Sequence, residues 1–317
     1  MISRTFGLAI AGMSLMTGSA FAQDWPSKPV TMIVPYNPGG TTDILARLAA
    51  EAISESIGQP VVIDNKPGAG GVVGATLAAG APNDGYTIFF GNNATNVVQP
   101  IINPAVTYDP VNSFDGIATT ADSLVFVGVN AGLGVSDLDS FVDYLKDNNA
   151  KYGSAGVGSM GQFSTNYFLD EAGAEARHIP YQGSNNAVTA ILSGEIEFMV
   201  DPAVTQQIDN PDMNVIAVIS DARHPAYPDV PTTKEQGYEM SLSGWFGVFA
   251  PAGTDSDAVA KMSAALEAMV ESEAYQARVL QMGLLPAYRN PAQTDEAVES
   301  DFEVFIQIRD AAGISID

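Results

Sequence analysis

The chain has 317 residues with 13 Lys and Arg against 37 Asp and Glu, a formal charge of -24 at pH 7. So acidic a protein lacks the cationic footprint that nucleic acid requires, and it is repelled by anionic membrane surfaces. It contains no Cys, which excludes disulfides, thiolate metal sites and cysteine nucleophiles, and its length with 46% hydrophobic residues predicts two globular lobes.

Residues 1–22 read as an export signal. Arg4 supplies a positive start, Phe6 to Met16 is apolar apart from Gly and Ser, and Ala20-Phe21-Ala22 has the A-x-A form of a cleavage site. The apolar run is too short for a membrane anchor. Export to a periplasm, with cleavage near Ala22, is the expectation.

Beyond the signal, strands and helices alternate. Val30 to Val34 is an expected strand, Asp43 to Ile57 a helix, Val61 to Asp64 a strand, Val72 to Ala79 a helix and Tyr86 to Phe90 a strand. The pattern resumes with strand Leu124 to Val129, helix Asp137 to Asn148, strand Tyr152 to Ser154 and a helix ending near Ala172. Strand His178 to Pro180, helix Asn185 to Ser193 and strands Phe198 to Val200 and Val215 to Ser220 follow. A Pro-rich connection, DARHPAYPDVPT, leads to strand Trp245 to Ala250 and to helices Asp255 to Glu271 and Asp295 to Ala312. Strands separated by helices of this length predict an α/β fold with parallel sheets and right-handed crossovers. Residues 23–123 with 222–317 are expected to form one lobe and 124–221 the other. A ligand cleft is expected at the carboxyl ends of the strands, where the Gly-rich loops lie.

The first of these loops, within TMIVPYNPGGTTDILAR (Thr31 to Arg47), carries the strongest signal. Gly39 and Gly40 have no Cβ to block a close approach. Thr41 and Thr42 are natural N-cap residues, and the helix they open offers unpaired amides and the positive end of its dipole to an anion. An anion site made of backbone suits a chain poor in Lys and Arg. Asp43 and Arg47, four apart, read as a surface ion pair. The second loop, KPGAGG, has Gly68 and Gly70 in dinucleotide-fingerprint spacing, but Val73 occupies the third glycine position, so close helix-to-sheet packing is the better reading.

The third loop, Gly91 to Asn96, sets Asn92 and Thr95 after a strand. The fourth, Tyr152 to Gln162, interleaves Ser154, Gly158 and Ser159 and opens a helix. A nucleophile elbow needs G-x-S-x-G, and Val157 and Tyr152 stand at the first glycine positions. The fifth, PYQGSNN, runs from Tyr181 through Gly183 into another helix start. Tyr181 reads either as a core aromatic with a wet hydroxyl or as a cleft residue. The chain has only two His, His178 and His224, which leaves little for a triad or a metal site. Asp201 is the one carboxylate placed near the cleft; a cap for the following turn is its plain structural reading.

These segments together, WPSKPVTMIVPYNPGGTTDILARL, GQPVVIDNKPGAGGVVGA, DGYTIFFG, YDPVNSF, YGSAGVGS, IPYQGS, PDVPT and SGWFGVFAPAGT, resemble the Bug-type receptors. Those are extracytoplasmic solute-binding proteins of tripartite tricarboxylate transporters. The resemblance covers nearly the whole mature chain in order. It implies a two-lobed, type II periplasmic binding protein (Venus flytrap) with a hinge, each lobe a mostly parallel sheet flanked by helices. It also implies a small carboxylate ligand, a di- or tricarboxylate or an aromatic acid, passed to membrane permease subunits. It implies no catalysis, cofactor or metal, and a monomer. By position, the family's ligand loops fall on Tyr36, Asn37, Gly39, Gly40, Thr41 and Asp43, on Asn92 and Thr95, on Ser154, Gly158, Ser159 and Gln162, on Tyr181 and Gly183, and on Asp201. Trp245 and Phe246 fall on the hinge side of the cleft. Asn37 replaces a small residue or proline, and Gln162 replaces a common histidine; an amide at each point suggests a polar, hydrogen-bonding ligand. The competing readings are a secreted hydrolase using Ser159 or Ser154, and a sensory carboxylate receptor.

Overall fold

The computed structural model describes residues 25–314, so the expected export signal lies outside the described residues. β1 (Val30–Val34) leads into α1 (Thr41–Ile57), β2 (Val61–Asn65), α2 (Val72–Ala79) and β3 (Thr87–Asn92). β1 pairs in parallel with both β2 and β3, the crossover arrangement that the alternating pattern predicts. α1 buries Leu45, Ala46, Ala49, Ala50 and Ile53, an apolar stripe at helical spacing, and ends where Gly58 adopts the left-handed conformation.

A short α3 (Gln99–Ile102) precedes β4 (Phe114–Asn130), a strand of 17 residues. Next come α4 (Leu138–Asp147), β5 (Lys151–Ser154), α5 (Met160–Ala172), β6 (Arg177–Pro180), α6 (Ser184–Leu192), β7 (Phe198–Val200) and β8 (Met213–Ile219). β9 (Ser243–Pro251), α7 (Ser256–Glu271), α8 (Glu273–Gln281), β10 (Leu285–Arg289) and α9 (Pro291–Ala312) complete the order. The strands run β2-β1-β3-β9-β4-β7-β5-β6, with β8 and β10 also on β4. Two parallel ladders, β2-β1-β3 and β6-β5-β7, are thus joined through antiparallel β9 and β4.

β4 belongs to both strand groups. Phe114 to Leu124 pair with β9, and Val125 to Asn130 with β8. Only Leu124 to Val129 was expected as strand. The earlier half, FDGIATTADS, is rich in small and polar residues, and its strand state comes from long-range pairing with β9 and β10. α8 and β10 were also not expected. Ser272 ends α7 in extended conformation and caps α8, so the C-terminal region holds α7, α8 and α9 where two helices were predicted.

The Pro-rich connection and the short segment after it pack on the second strand group. Val218 N–H donates to the Pro231 carbonyl at 2.9 Å, Leu138 N–H to Gln236 Oε1 at 2.9 Å, and the Tyr227 ring meets Phe126 edge-on at 5.6 Å. One apolar core lies under the first group, including Met32, Leu45, Phe90 and Leu266, and another under the second, including Phe126, Ile191, Met199 and Val218. A third runs through both and includes Phe89, Phe141, Phe198 and Phe249, with Phe305 of α9 seated 5.3 Å from Phe163 of α5.

Candidate functional site

The loop after β1 differs in detail from the expected cap. Gly40, not Thr41 or Thr42, is the N-cap of α1, in extended conformation and with no side-chain hydrogen bond to the first turn. Thr41 and Thr42 are the first helical residues, so the bare helix start is even less covered than the sequence suggests. Asn37, Gly39, Gly40 and Thr41 are exposed. Asp43 is not the surface partner of Arg47 alone. It is buried and accepts from Gly39 N–H at 2.9 Å, Asn65 Nδ2 at 2.9 Å, and Arg47 Nε and Nη2 at 2.9 and 3.0 Å. The Arg47 hydrogen bond, with those from Gly39 and Asn65, outweighs burial and brings its pKa down to about 2. Its place is therefore beneath the loop, holding it.

Asn92 closes β3 over this loop. Its Oδ1 accepts from Thr95 N–H at 3.1 Å and from Tyr36 OH at 3.4 Å, and its Nδ2 donates to Thr42 Oγ1 at 3.4 Å. Thr95 lies in a π-helical turn, Ala94–Val98, a distortion often found at functional sites. The second Gly-rich loop serves packing, as expected. A Cβ on Gly71, where φ is +99°, would stand 2.2 Å from Thr95 Cγ2, and one on Gly74 would stand 2.8 Å from Pro35 Cα.

Across the cleft, Ser154 is fully buried. Its Oγ donates to the Gly156 carbonyl at 2.9 Å and lies 2.7 Å from His178 Nε2. His178 stacks on Tyr152 with centroids 4.8 Å apart, and burial lowers its pKa. Ser159 caps α5, accepting from Gln162 N–H at 3.4 Å, while Gln162 Oε1 accepts from Gly158 N–H at 2.7 Å. The Gln162 carbonyl oxygen is thus engaged in shaping its own loop. Tyr181 OH donates to Glu195 Oε1 at 2.9 Å; burial and that carboxylate push its pKa up to about 12. Asp201 takes the plain structural role: Oδ1 accepts from Ala203 N–H at 2.8 Å and Oδ2 from Ser184 OH at 3.0 Å. Burial raises its pKa. α6 starts after Gly183, at φ +115°, and like α1 has no side-chain cap.

A cavity of about 120 Å³ lies where the two strand groups meet. Asn92, Asn93 and Ala94 bound it on one side and Met160 and Pro202 on the other; Ser123 and Val125 of β4 and Gly244, Trp245 and Phe246 of β9 form its floor. None of these is Lys or Arg. Both bare helix starts connect to it through one side chain. Asn92 lines the cavity and holds Thr42 in the first turn of α1; Asp201, next to the lining Pro202, holds Ser184 in the first turn of α6. Of the predicted residues, Asn92 and Phe246 line the cavity directly, together with Trp245. Asn93 and Met160 lie inside the expected ligand loops, Asn92 to Asn96 and Ser154 to Gln162, without having been singled out. Ser123 was missed, hidden by the unrecognised first half of β4.

Residues 45–310 match the model of the TctC family, described as the tripartite tricarboxylate transporter family receptor. The chain is 31% identical over 297 residues to Protein BugT of Bordetella pertussis, covering 90% of this chain and 91% of BugT. It superposes on the structure of R. palustris Rpa4515 with adipate at a TM-score of 0.76 and 30% identity, over 92% of this chain and 99% of that one. MatC (Rpa3494) from Rhodopseudomonas palustris with bound malate gives a TM-score of 0.72 and 27% identity, over 90% and 99%. The expected two-lobed, type II binding-protein fold is therefore the fold of this chain. With the helix starts, the cavity and these relatives in agreement, the chain belongs to the Bug-type receptors of the tripartite tricarboxylate transporter (TctC) family.

Proposed function

We propose that this receptor captures a small carboxylate in the cleft and delivers it to membrane permease subunits, acting in the periplasm, without catalysis, as a single chain. The observation that carries the reading is a pair of helix starts with no side-chain cap, each tied by one hydrogen bond to the edge of the cavity: α1 through Asn92, which lines it, and α6 through Asp201, next to the lining Pro202. Each start attracts an anion by roughly 0.3–1 kcal/mol at an exposed site, and more when water is excluded. Adipate and malate, held by two relatives, are diacids. In this reading the two carboxylates of such an acid face the two helix starts, and its short carbon chain rests on Trp245, Phe246 and Val125 of the small cavity. Both sides of the site come from the same chain, which is why one chain suffices.

In this reading the first lobe comprises residues 25–123 with 243–314 and the second 124–242, with the hinge in β4 and at the start of β9. Contacts of Pro231 with β8 and of Gln236 with α4 support putting the return at β9, where the sequence suggested residue 222. Closure about that hinge brings α6 toward α1 only when an anion offsets the approach of two positive helix ends.

The Ser154–His178 contact supports a structural role better than a hydrolytic one. Ser154 is fully buried and its hydroxyl is engaged by Gly156 and His178. Mass spectrometry of small molecules released from natively purified protein tests the whole reading. A small acid, one per chain, is the expected release; a neutral sugar or a peptide would refute it.

A further inference from the structure

The cavity floor is held by a carboxylate that does not line it. Asp301 lies on α9 and takes two hydrogen bonds on the same oxygen, Oδ2. Trp245 Nε1 donates to it at 2.8 Å, and Asn93 Nδ2 donates to it as well. Asn93 turns its other side-chain atom, Oδ1, to the backbone N–H of Trp245. Asn93 and Trp245 are each 2% exposed and Asp301 is partly buried, so the three groups form a closed ring of bonds whose Asn93 and Trp245 side is shut off from water.

Both partners of Asp301 border the cavity: Asn93 on the β3 side and Trp245 on β9. Adjacent residues 92 and 93 thus face opposite ways. Asn92 reaches Tyr36 and Thr42, and Asn93 reaches β9 and α9. The same region of β4 carries Asp122, which holds Arg289 of β10 in a bidentate pair at 2.7 and 2.9 Å, beside the lining Ser123. Arg289 and Asp122 are the charged groups that bear on Asp301, one favouring its ionised form and the other opposing it.

We propose that Asp301 is a positioning residue for the binding cleft. Through Asn93 and Trp245 it fixes the loop after β3 against the hinge strand β9, and so sets the floor on which the carbon skeleton of the ligand rests. Nothing in this role requires Asp301 to touch the ligand. The C-terminal helix α9, which also seats Phe305 against α5, becomes a brace between the ligand loop, the hinge and the second strand group. The proposal rests on the cleft being the binding site.

The test compares Asp301→Ala and Asp301→Asn with the parent protein, using the 15N indole resonance of Trp245 without ligand, the Kd for malate and adipate, and the Tm. In Asp301→Ala the indole resonance is expected to shift, and the affinity for whichever acid binds the parent to fall about tenfold, the loss of a charge-assisted hydrogen bond. Asp301→Asn keeps one acceptor oxygen and is expected to lie between. An unmoved indole resonance in Asp301→Ala overturns the proposal, as does a lowered Tm with affinity unchanged in both variants. Should the alanine variant not fold, Asp301→Asn carries the test at a residue outside the cavity lining; a moved indole resonance with a severalfold loss of affinity supports the proposal, and an unmoved resonance or unchanged affinity overturns it. The indole signal is read without ligand, so for a parent that binds neither of these two acids the clasp is judged on that signal, separately from the carboxylate reading.

Discussion

Asn92 Nδ2 donates to Thr42 Oγ1 at 3.4 Å, tying the end of β3 to the first turn of α1. The bond joins the cavity wall to an uncapped helix start, the two parts that an anion site needs. Asn92→Ala removes the tie and is expected to weaken carboxylate binding severalfold. Asn92→Asp is nearly the same shape but faces the ligand with a negative charge, and at an effective dielectric near 20 that repulsion costs on the order of 100-fold in affinity. Calorimetric titration of both variants gives the order of the losses. A neutral ligand would not produce the greater loss in Asn92→Asp.

Asp43 supports the same loop from beneath. Its folded pKa of about 2 is below the ordinary 3.8, so its contribution is complete above the unfolded value and is lost as pH falls through about 2. Asp43→Asn is expected to lower stability at neutral pH by roughly 1–2 kcal/mol, a figure reduced because Arg47 is half exposed and screened. Urea unfolding should show that gap at pH 7 and a smaller one near pH 2. An equal gap at both would mean that the charge plays no part.

Gly71 tests the packing of three loops at once. A Cβ there would meet Thr95 Cγ2 at 2.2 Å and Tyr36 Cζ at 3.4 Å, at a φ of +99° that side chains rarely adopt. Gly71→Ala is expected to cost about 2 kcal/mol or more and to weaken ligand binding with it. Gly58→Ala is the control: φ is +69° but a Cβ there would meet nothing within 4 Å, at a helix end away from the cavity. It should lower stability by about 1 kcal/mol with affinity unchanged.

Ser154→Ala separates receptor from hydrolase. Removing the hydroxyl leaves His178 Nε2 without that partner and should cost about 1 kcal/mol of stability. No ester hydrolysis is expected in the parent protein or the variant. Turnover by the parent that vanishes in Ser154→Ala would establish a catalytic role.

The local features were legible because short-range chemistry governs them. α1 shows in its apolar spacing, and the glycine turn that opens it in PGGTTD ahead of it. What long-range pairing decides was not legible. Phe114 to Ser123 become strand only between β9 and β10, and Arg289 finds Asp122 only because β10 lies there. Thr41 and Thr42 have cap chemistry, yet Gly40 sits one step earlier at the extended position, so the cap carries no side chain. Asp43 at four-residue spacing from Arg47 looks like a surface pair; its burial depends on Asn65, 22 positions away. Tyr181 was open between core and cleft, and its hydroxyl is directed by Glu195, across the α6 segment.

In the proposed function, backbone at two helix starts holds a carboxylate. A calorimetric titration of small acids, malate, adipate, citrate and benzoate, each beside its fully methylated ester, tests this. At least one acid is predicted to bind while its ester, equal in skeleton but without charge, does not. Binding of an ester as tightly as its acid, or of a neutral sugar with no acid binding at all, would contradict the account.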